Sequence, residues 1–406
     1  MSAPSTRAPL PWGLELTASH DFLGPREVRI GDGAAAEVGS LVRRWSGDDG
    51  IVLLICDPAL VGLGLTDAVE GSLAEAGYRV TRFDKVTAEP DVAVAEAAVA
   101  VARSAGPVAV VGMGGGSAMD VAKIGAALAI RGEKVGDIVG TDRIPGPGLP
   151  LVLVPTTAGT GSEATRVAML SEAGEKRIVV SPHLVPVGAV LDPLLVSSLP
   201  APVTAATGLD ALTHAVESLL STAASSLTVQ MSLDAFELLA RALPRAYVDG
   251  SDSQARRGTL YGAYLAGLGL NAGVVLGHSI AYTIANRTHL PHGITAAMAL
   301  PYCLAYNAGV SASELELLVT ALPEGSGDLF GWVTALNAQL GVPPSLQALD
   351  LSEADADAMA VECLERYPRP TNPLPLTPEA LRRLYRHLWR GAVQDCVADL
   401  AEGGSR

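Results

Sequence analysis

The stretch Val108-Ala109-Val110-Val111-Gly112-Met113-Gly114-Gly115-Gly116-Ser117-Ala118-Met119-Asp120-Val121-Ala122-Lys123 decides the fold. An apolar run of strand length enters a turn of consecutive glycines, and a helix-compatible segment leaves it. Strand, glycine turn, helix is the order of a dinucleotide-binding unit. Glycines let the backbone approach a pyrophosphate closely, and the free N–H groups of the following helix add donors and the positive end of its dipole. The turn is not the G-x-G-x-x-G fingerprint, and by itself it reads equally well as an ordinary tight turn.

The chain on either side repeats the same alternation. Residues 51–56, Ile-Val-Leu-Leu-Ile-Cys, end at Asp57-Pro58 and predict a buried parallel strand. A helix is expected over 65–76, a strand over 78–83 and an amphipathic helix over 91–105. Residues 149–154 predict another strand, running into Pro155-Thr156-Thr157-Ala158-Gly159-Thr160-Gly161-Ser162-Glu163. There, hydroxyls and glycines alternate at a strand tip, a composition suited to a nicotinamide amide, ribose or phosphate. Two short strands, 177–180 and 187–191, close this half. After Ser197-Ser198-Leu199-Pro200 the texture changes to long Ala/Leu-rich helical patterns, which puts a domain boundary near 200. Thr377-Pro378-Glu379 marks a helix start, with a capping hydroxyl, proline at the first helical position and an early carboxylate.

The second half holds the metal chemistry. In Gly208-Leu209-Asp210-Ala211-Leu212-Thr213-His214 the carboxylate and imidazole stand at i and i+4 and share a helix face. His278 and His292 lie fourteen residues apart, and Pro291-His292-Gly293 breaks a long apolar run as if to aim one imidazole. An isolated Asp/His pair is ordinarily a surface pair, and a lone His before an apolar helix is ordinarily a core residue. Together, one carboxylate and three imidazoles suit Fe(II) or Zn(II), whereas calcium and magnesium prefer all-oxygen surroundings.

Composition sets the outer bounds. At 406 residues, two domains are expected. With 49% hydrophobic and 17% charged residues the chain buries a large core. A net charge of −15 argues against nucleic-acid or anionic-membrane partners, so a cofactor phosphate must be held locally by backbone amides. Cys56, Cys303, Cys363 and Cys396 are scattered without a C-x-x-C pair, which fits a reducing, cytoplasmic setting. Residues 1–13 contain prolines and no apolar leader, and no apolar run reaches membrane length.

Gly114-Gly115-Gly116-Ser117 with Asp120 and Lys123, the loop Pro155 to Glu163, Gly208 to Ala215, and His278 with Pro291-His292-Gly293 together resemble the iron-containing alcohol dehydrogenases, also called group III. The likeness runs from about residue 22 to about 388 in the family's order. It implies an α/β nucleotide-binding domain with a parallel sheet over 1–199 and an all-helical metal and substrate domain over 200–406, the dehydroquinate synthase-like architecture. It implies Asp210, His214, His278 and His292 as metal ligands for Fe(II) or Zn(II). It also implies Gly114, Gly115, Gly116, Ser117, Asp120, Thr156, Thr157, Thr160 and Ser162 as NAD(P) contacts.

Asp57 resembles the position whose carboxylate meets the adenosine ribose and disfavours NADP, which favours NAD. Lys176 is similar in placement to a lysine near the nicotinamide. A small alcohol or carbonyl substrate and a homo-oligomer, a dimer, are further implications. Two positions depart from the pattern: Ala118 replaces a frequent proline, and Tyr282 stands where many members carry a proton-passing histidine. A tyrosine there also resembles the hydroxyacid-oxoacid transhydrogenase branch. Dehydroquinate-synthase-like lyases and a nucleotide-binding homologue without catalysis are the other readings. Arg166, Arg287 and His289 are candidate anchors for an anionic substrate group.

Overall fold

The computed structural model describes residues 19–172 and 175–403, so the stretch 1–13, read above for a leader, lies outside the described residues. The strands, in chain order, are β1 Glu27–Ile30, β2 Gly50–Cys56, β3 Tyr78–Phe83, β4 Ala109–Gly114, β5 Gly140–Thr141, β6 Leu151–Pro155, β7 Val167–Glu172, β8 Glu175–Val180 and β9 Gly188–Leu191. Six of them form one parallel sheet in the order β1-β9-β6-β4-β2-β3. Both faces of this sheet are covered. Leu53 and Ile55 of β2 enter the core on one side and Val52, Leu54 and Cys56 the core on the other. That two-sided burial is why the parallel strands are continuous apolar runs in the sequence.

The sequence locates β3 to the residue, and the helix Val92–Ala105 begins after Asp91, whose side chain caps it by accepting from the Val94 N–H. Three strands were not expected, β1, β5 and β7. β1 is an edge strand pairing only with β9, and none of its residues is fully buried, so it carries no apolar signature. β7 pairs antiparallel with β8 to make a hairpin, with Gly140–Thr141 added on the far side of β8.

From the helix Ala201–Leu220 onward the described chain is helical, around one large apolar core. The loop after β6 packs directly on that first helix: a Cβ on Gly159 would stand 2.7 Å from Thr207 Cβ and 2.9 Å from its carbonyl oxygen. Gly161, in the left-handed region at φ 59°, likewise lies against Gly267 of the helix Ser253–Gly269. Glycines thus let the hydroxyl-rich loop lie against the helical half. The four cysteines are all buried and unpaired. Among the described residues no single helix is long and apolar enough to cross a membrane.

Candidate metal and nucleotide site

Three helices bring the four expected ligands together. Asp210 and His214 lie on Ala201–Leu220, His278 in the first turn of Leu276–Thr288, and His292 opens His292–Asn307. The break between the last two is sharp: His289 takes a left-handed φ of 54° at the C-cap and Pro291 caps the next helix. Gly293 explains how that helix start reaches the cage. A Cβ there would meet the Ala206 carbonyl oxygen at 1.8 Å and Asp210 Cβ at 3.0 Å, so only glycine allows the approach.

Around Asp210 Oδ1 stand His292 Nε2 at 3.7 Å, His278 Nε2 at 3.8 Å and His214 Nε2 at 3.9 Å. These distances are too long for hydrogen bonds. They suit ligand atoms spread around a cation, since arms of about 2.1 Å in a tetrahedron separate neighbours by about 3.4 Å. Asp210 Oδ1 and His278 Nε2 are both buried without a hydrogen-bond partner, a costly state that a cation would relieve. The chemistry and the geometry of the donor set therefore fit a borderline divalent ion.

The electrostatics agree. Burial, then the neighbouring His214 and His292, holds His278 well below its ordinary pKa, which leaves the ring neutral and its lone pair available. Burial alone would hinder Asp210 ionising, but the three imidazoles outweigh it and lower its pKa.

Sequence reasoning missed Glu217, which is fully buried on the same helix and faces His278 Nδ1. Its signal was spacing: positions 210, 214 and 217 run i, i+4, i+7 down one face.

Tyr282 lines the cage wall, its ring stacked on His292 at 5.3 Å and edge-on to His278 at 6.3 Å. Burial raises its pKa, so it is a phenol at neutral pH. Its hydroxyl hydrogen-bonds no described residue. Beyond it opens a cavity of about 1050 Å³ between the β7–β8 hairpin and the helix Leu276–Thr288, with Lys176, Tyr282 and His292 among its walls. Its cations are already matched: Lys176 with Glu89 at 3.1 Å, Arg366 with Glu175 at 2.9 Å, and Arg287 with Glu362. His289 lines the same cavity, whereas Arg166 lies in a separate groove of about 320 Å³ at the hairpin base.

The glycine turn is built as expected. Gly114 ends β4 with φ 148°, a backbone state open to glycine, and its absent Cβ would meet Ala118 Cβ at 2.7 Å. A Cβ on Gly116 would lie 2.7 Å from Thr160 Cγ2, and one on Gly115 3.4 Å from Thr157 Oγ1. Thr157 and Thr160 therefore flank the turn, with Ser117 in the first turn of the helix Gly116–Leu128. Thr156 extends the sheet by donating its N–H to the Gly114 carbonyl at 2.9 Å. Asp57 caps the short helix after β2 with Oδ1, while Oδ2 would stand 3.6 Å from a Cβ on Gly114.

Asp120 and Ser162, expected as cofactor contacts, also bond to each other. Asp120 Oδ1 accepts from Ser162 Oγ at 2.6 Å and Oδ2 from the Met169 N–H at 2.9 Å. The pair ties the helix Gly116–Leu128 to the loop after β6 and to β7.

A cage of three imidazoles and one carboxylate, buried except at His292 on its half-exposed edge, with a glycine-turn nucleotide fold packed against its first helix, fits a metal-dependent nicotinamide oxidoreductase. The comparisons with known proteins name the family. Residues 25–193 match the model of the iron-containing alcohol dehydrogenases and residues 204–389 that of the C-terminal part of the same family. The chain is 36% identical over 383 residues to long-chain-alcohol dehydrogenase 1 of Geobacillus thermodenitrificans, covering 91% of this chain and 96% of that one. A 1,3-propanediol oxidoreductase structure superposes with TM-score 0.83 at 32% identity, covering 92% of this chain and 100% of the other. Sulfoacetaldehyde reductase from Bifidobacterium kashiwanohense, solved with NAD+, gives 0.84 at 26% identity over 91% of this chain and 99% of that one. The chain belongs to the iron-containing alcohol dehydrogenase family, and it is a metal-dependent, NAD-linked oxidoreductase.

Proposed function

We propose that the chain interconverts a small uncharged alcohol and its aldehyde or ketone with NAD(H), using a divalent ion held by Asp210, His214, His278 and His292. The observation that carries this is the convergence of the three imidazole Nε2 atoms on Asp210 Oδ1, with Asp210 Oδ1 and His278 Nε2 buried and without hydrogen-bond partners. Fe(II) and Zn(II) both suit three imidazoles and a carboxylate. Bound there, the ion supplies Lewis acidity to an alcohol or carbonyl oxygen, and the nicotinamide supplies hydride exchange.

The chain's own residues do the rest. The amides of Gly114, Gly115, Gly116 and Ser117 receive the pyrophosphate, and Thr156, Thr157 and Thr160 orient the cofactor beside the turn. Asp120 and Ser162 support this loop from beneath. Tyr282 offers its hydroxyl as a hydrogen-bond donor at the cage wall, and Lys176 holds the cavity mouth through its pairing with Glu89. Because each cation of that mouth is paired with a carboxylate, an uncharged carbonyl fits better than an oxoacid. A dimer, a cytoplasmic setting and a domain boundary between residues 199 and 200 complete the reading.

Asp57 favours NAD over NADP. Its Oδ2 accepts ribose hydroxyls and repels a 2′-phosphate; a unit-charge contact at about 4 Å costs about 4 kcal/mol at an effective dielectric of about 20, before screening. NADH is therefore expected to give at least about tenfold higher kcat/KM than NADPH, and equal values would show that Asp57 does not read the ribose.

The deciding experiment loads the metal-stripped enzyme anaerobically with Fe(II) or Zn(II) and assays aldehydes and oxoacids with NADH. Steady NADH oxidation with uncharged aldehydes is expected. Product formed without net NADH oxidation would favour a lyase that recycles its cofactor. Hydride exchange confined to hydroxyacid and oxoacid pairs would favour a transhydrogenase. Cofactor binding without turnover on any carbonyl would overturn the reading.

A further inference from the structure

We propose that Glu217 is the positioning residue of the cage, holding His278 in the one orientation and tautomer that presents an unprotonated Nε2 to the ion. The inference rests on the metal reading above.

Glu217 sits seven residues after Asp210 and three after His214 on the helix Ala201–Leu220, so all three side chains leave the same face. It is fully buried. One carboxylate oxygen, Oε1, accepts the backbone N–H of His278 at 3.1 Å, and the other, Oε2, faces the ring Nδ1 of the same residue. An ionised Glu217 only accepts, and in that state Nδ1 carries the proton and the lone pair is left on Nε2, the form a cation at Nε2 would select. Nε2 is the atom that points at Asp210 Oδ1 and has no hydrogen-bond partner of its own. The grip is thus two-point: the main chain fixes where the helix begins, and the ring fixes where its free nitrogen points.

Two further residues are shaped to this contact. A Cβ on Gly277 would stand 2.5 Å from Glu217 Oε1, so glycine at 277 is what lets the carboxylate reach His278. Cys303 Sγ lies 3.7 Å from the same oxygen and donates to it. No lysine or arginine hydrogen-bonds or ion-pairs with Glu217 among the described residues, unlike the surface carboxylates that pair with arginine. Arg369 acts on Glu217 through space without bonding to it, so the carboxylate's direct side-chain partner is the imidazole, as expected of a group serving a metal ligand.

The test is Glu217→Gln, which keeps shape but has one acceptor oxygen and one NH2. Whichever way the amide turns, one of His278's donors loses its acceptor. With the NH2 toward Nδ1, the proton moves to Nε2 and the lone pair is lost to the ion. With the NH2 toward the backbone, two donors collide. Zinc affinity of the metal-stripped protein is expected to fall by about 10- to 100-fold, with NAD affinity unchanged and the visible spectrum of the Co(II)-loaded protein altered.

Gly277→Ala, which displaces the carboxylate without changing charge, should weaken zinc binding in the same direction. A merely structural Glu217 would instead lower the unfolding temperature of the metal-free variant and leave its zinc affinity and cobalt spectrum at wild-type values, and that result overturns the proposal.

If neither variant folds, the wild-type zinc-loaded enzyme decides by 15N-histidine NMR. His278 must appear as the Nδ1–H tautomer; a protonated Nε2 or a metal-bound Nδ1 overturns the assignment. A wild type that binds no zinc would sink the metal reading itself, whereas wild type and Glu217→Gln binding zinc equally would sink the role of Glu217 alone.

Discussion

Two buried polar clusters in this molecule look alike in the sequence and behave as opposites in the structure. In the α/β half, Lys123 is wholly buried and donates to the Val167 carbonyl at 2.6 Å and to Thr165 Oγ1 at 3.0 Å, with Asp120 Oδ1 at 3.9 Å. Both Asp120 oxygens accept hydrogen bonds of their own. In the helical half, Asp210 Oδ1 meets three imidazole nitrogens at distances none of which is a hydrogen bond. The first cluster largely completes itself and holds the hairpin to the helix Gly116–Leu128. The second is complete only with a guest. Convergent lone pairs left open in a buried place mark a ligand site more surely than residue type does.

The largest effect is expected where the guest is removed. His278→Ala deletes one imidazole from the cage and should abolish metal retention and cut turnover by about 10³-fold or more, because the Lewis-acid contribution is worth several kcal/mol. NAD binding should survive, since the glycine turn is on the other half of the chain. Unchanged metal content by elemental analysis would remove His278 from the cage.

The self-completed cluster should fail differently. Lys123→Met leaves Asp120 and Glu163 buried without their cation, and loss of one partner of a buried pair costs about 3–5 kcal/mol. Chemical unfolding should therefore show a large loss of stability, while zinc stoichiometry at low temperature stays at the wild-type value. A Lys123→Met enzyme that loses metal but not stability would invert the contrast between the two clusters.

This contrast also explains what could be read in advance. The parallel core was legible because β2, β4 and β6 are buried on both faces and so spell continuous apolar runs. The ligand set was legible because Asp210 and His214 share a helix face and Pro291 and Gly293 frame His292. Edge strand β1 was hidden because none of its residues is fully buried, whereas edge strand β3 buries Tyr78 and Phe83. Asp120, Ser162 and Lys123 stand inside recognisable motifs, yet no spacing rule tells whether a side chain faces a cofactor or its own neighbours. Glu217 had only the i+7 spacing to mark it, which puts it on the ligand face without saying what it meets, because its partner His278 comes from a helix more than fifty residues further on.

Between the extremes stands Tyr282, which belongs to the open cluster but packs like a wall residue. Its ring contacts to His292 and Tyr367 would survive removal of the hydroxyl. Tyr282→Phe should keep metal and cofactor affinity and lower turnover by about 10²-fold if the phenol donates a hydrogen bond to oxygen charge developing in the transition state. Near-full turnover across the pH range would make Tyr282 a wall only and send the proton through water or the cofactor ribose.

The smallest effect tests whether the self-completed cluster is in fact fully balanced. Glu163 is the one member with an unpartnered buried oxygen, Oε2. Burial pushes its carboxyl up to about 7, against the opposing pull of its own backbone and of Lys123. A carboxyl whose pKa is higher folded than unfolded binds its proton more tightly in the native state. Its contribution to stability is then fully present below the ordinary value of about 4.5 and is lost as pH rises through about 7. Glu163→Gln removes that titration while keeping size and polarity. The other groups that titrate there, including Glu217, which burial also pushes to about 7, are common to both proteins and cancel in the difference. In metal-free protein at constant ionic strength, the Tm of the wild type minus that of Glu163→Gln should therefore decline by on the order of a few degrees between pH 4.5 and 7. A difference that stays flat, or rises with pH, would mean that Glu163 is ionised throughout and that Lys123 balances it completely.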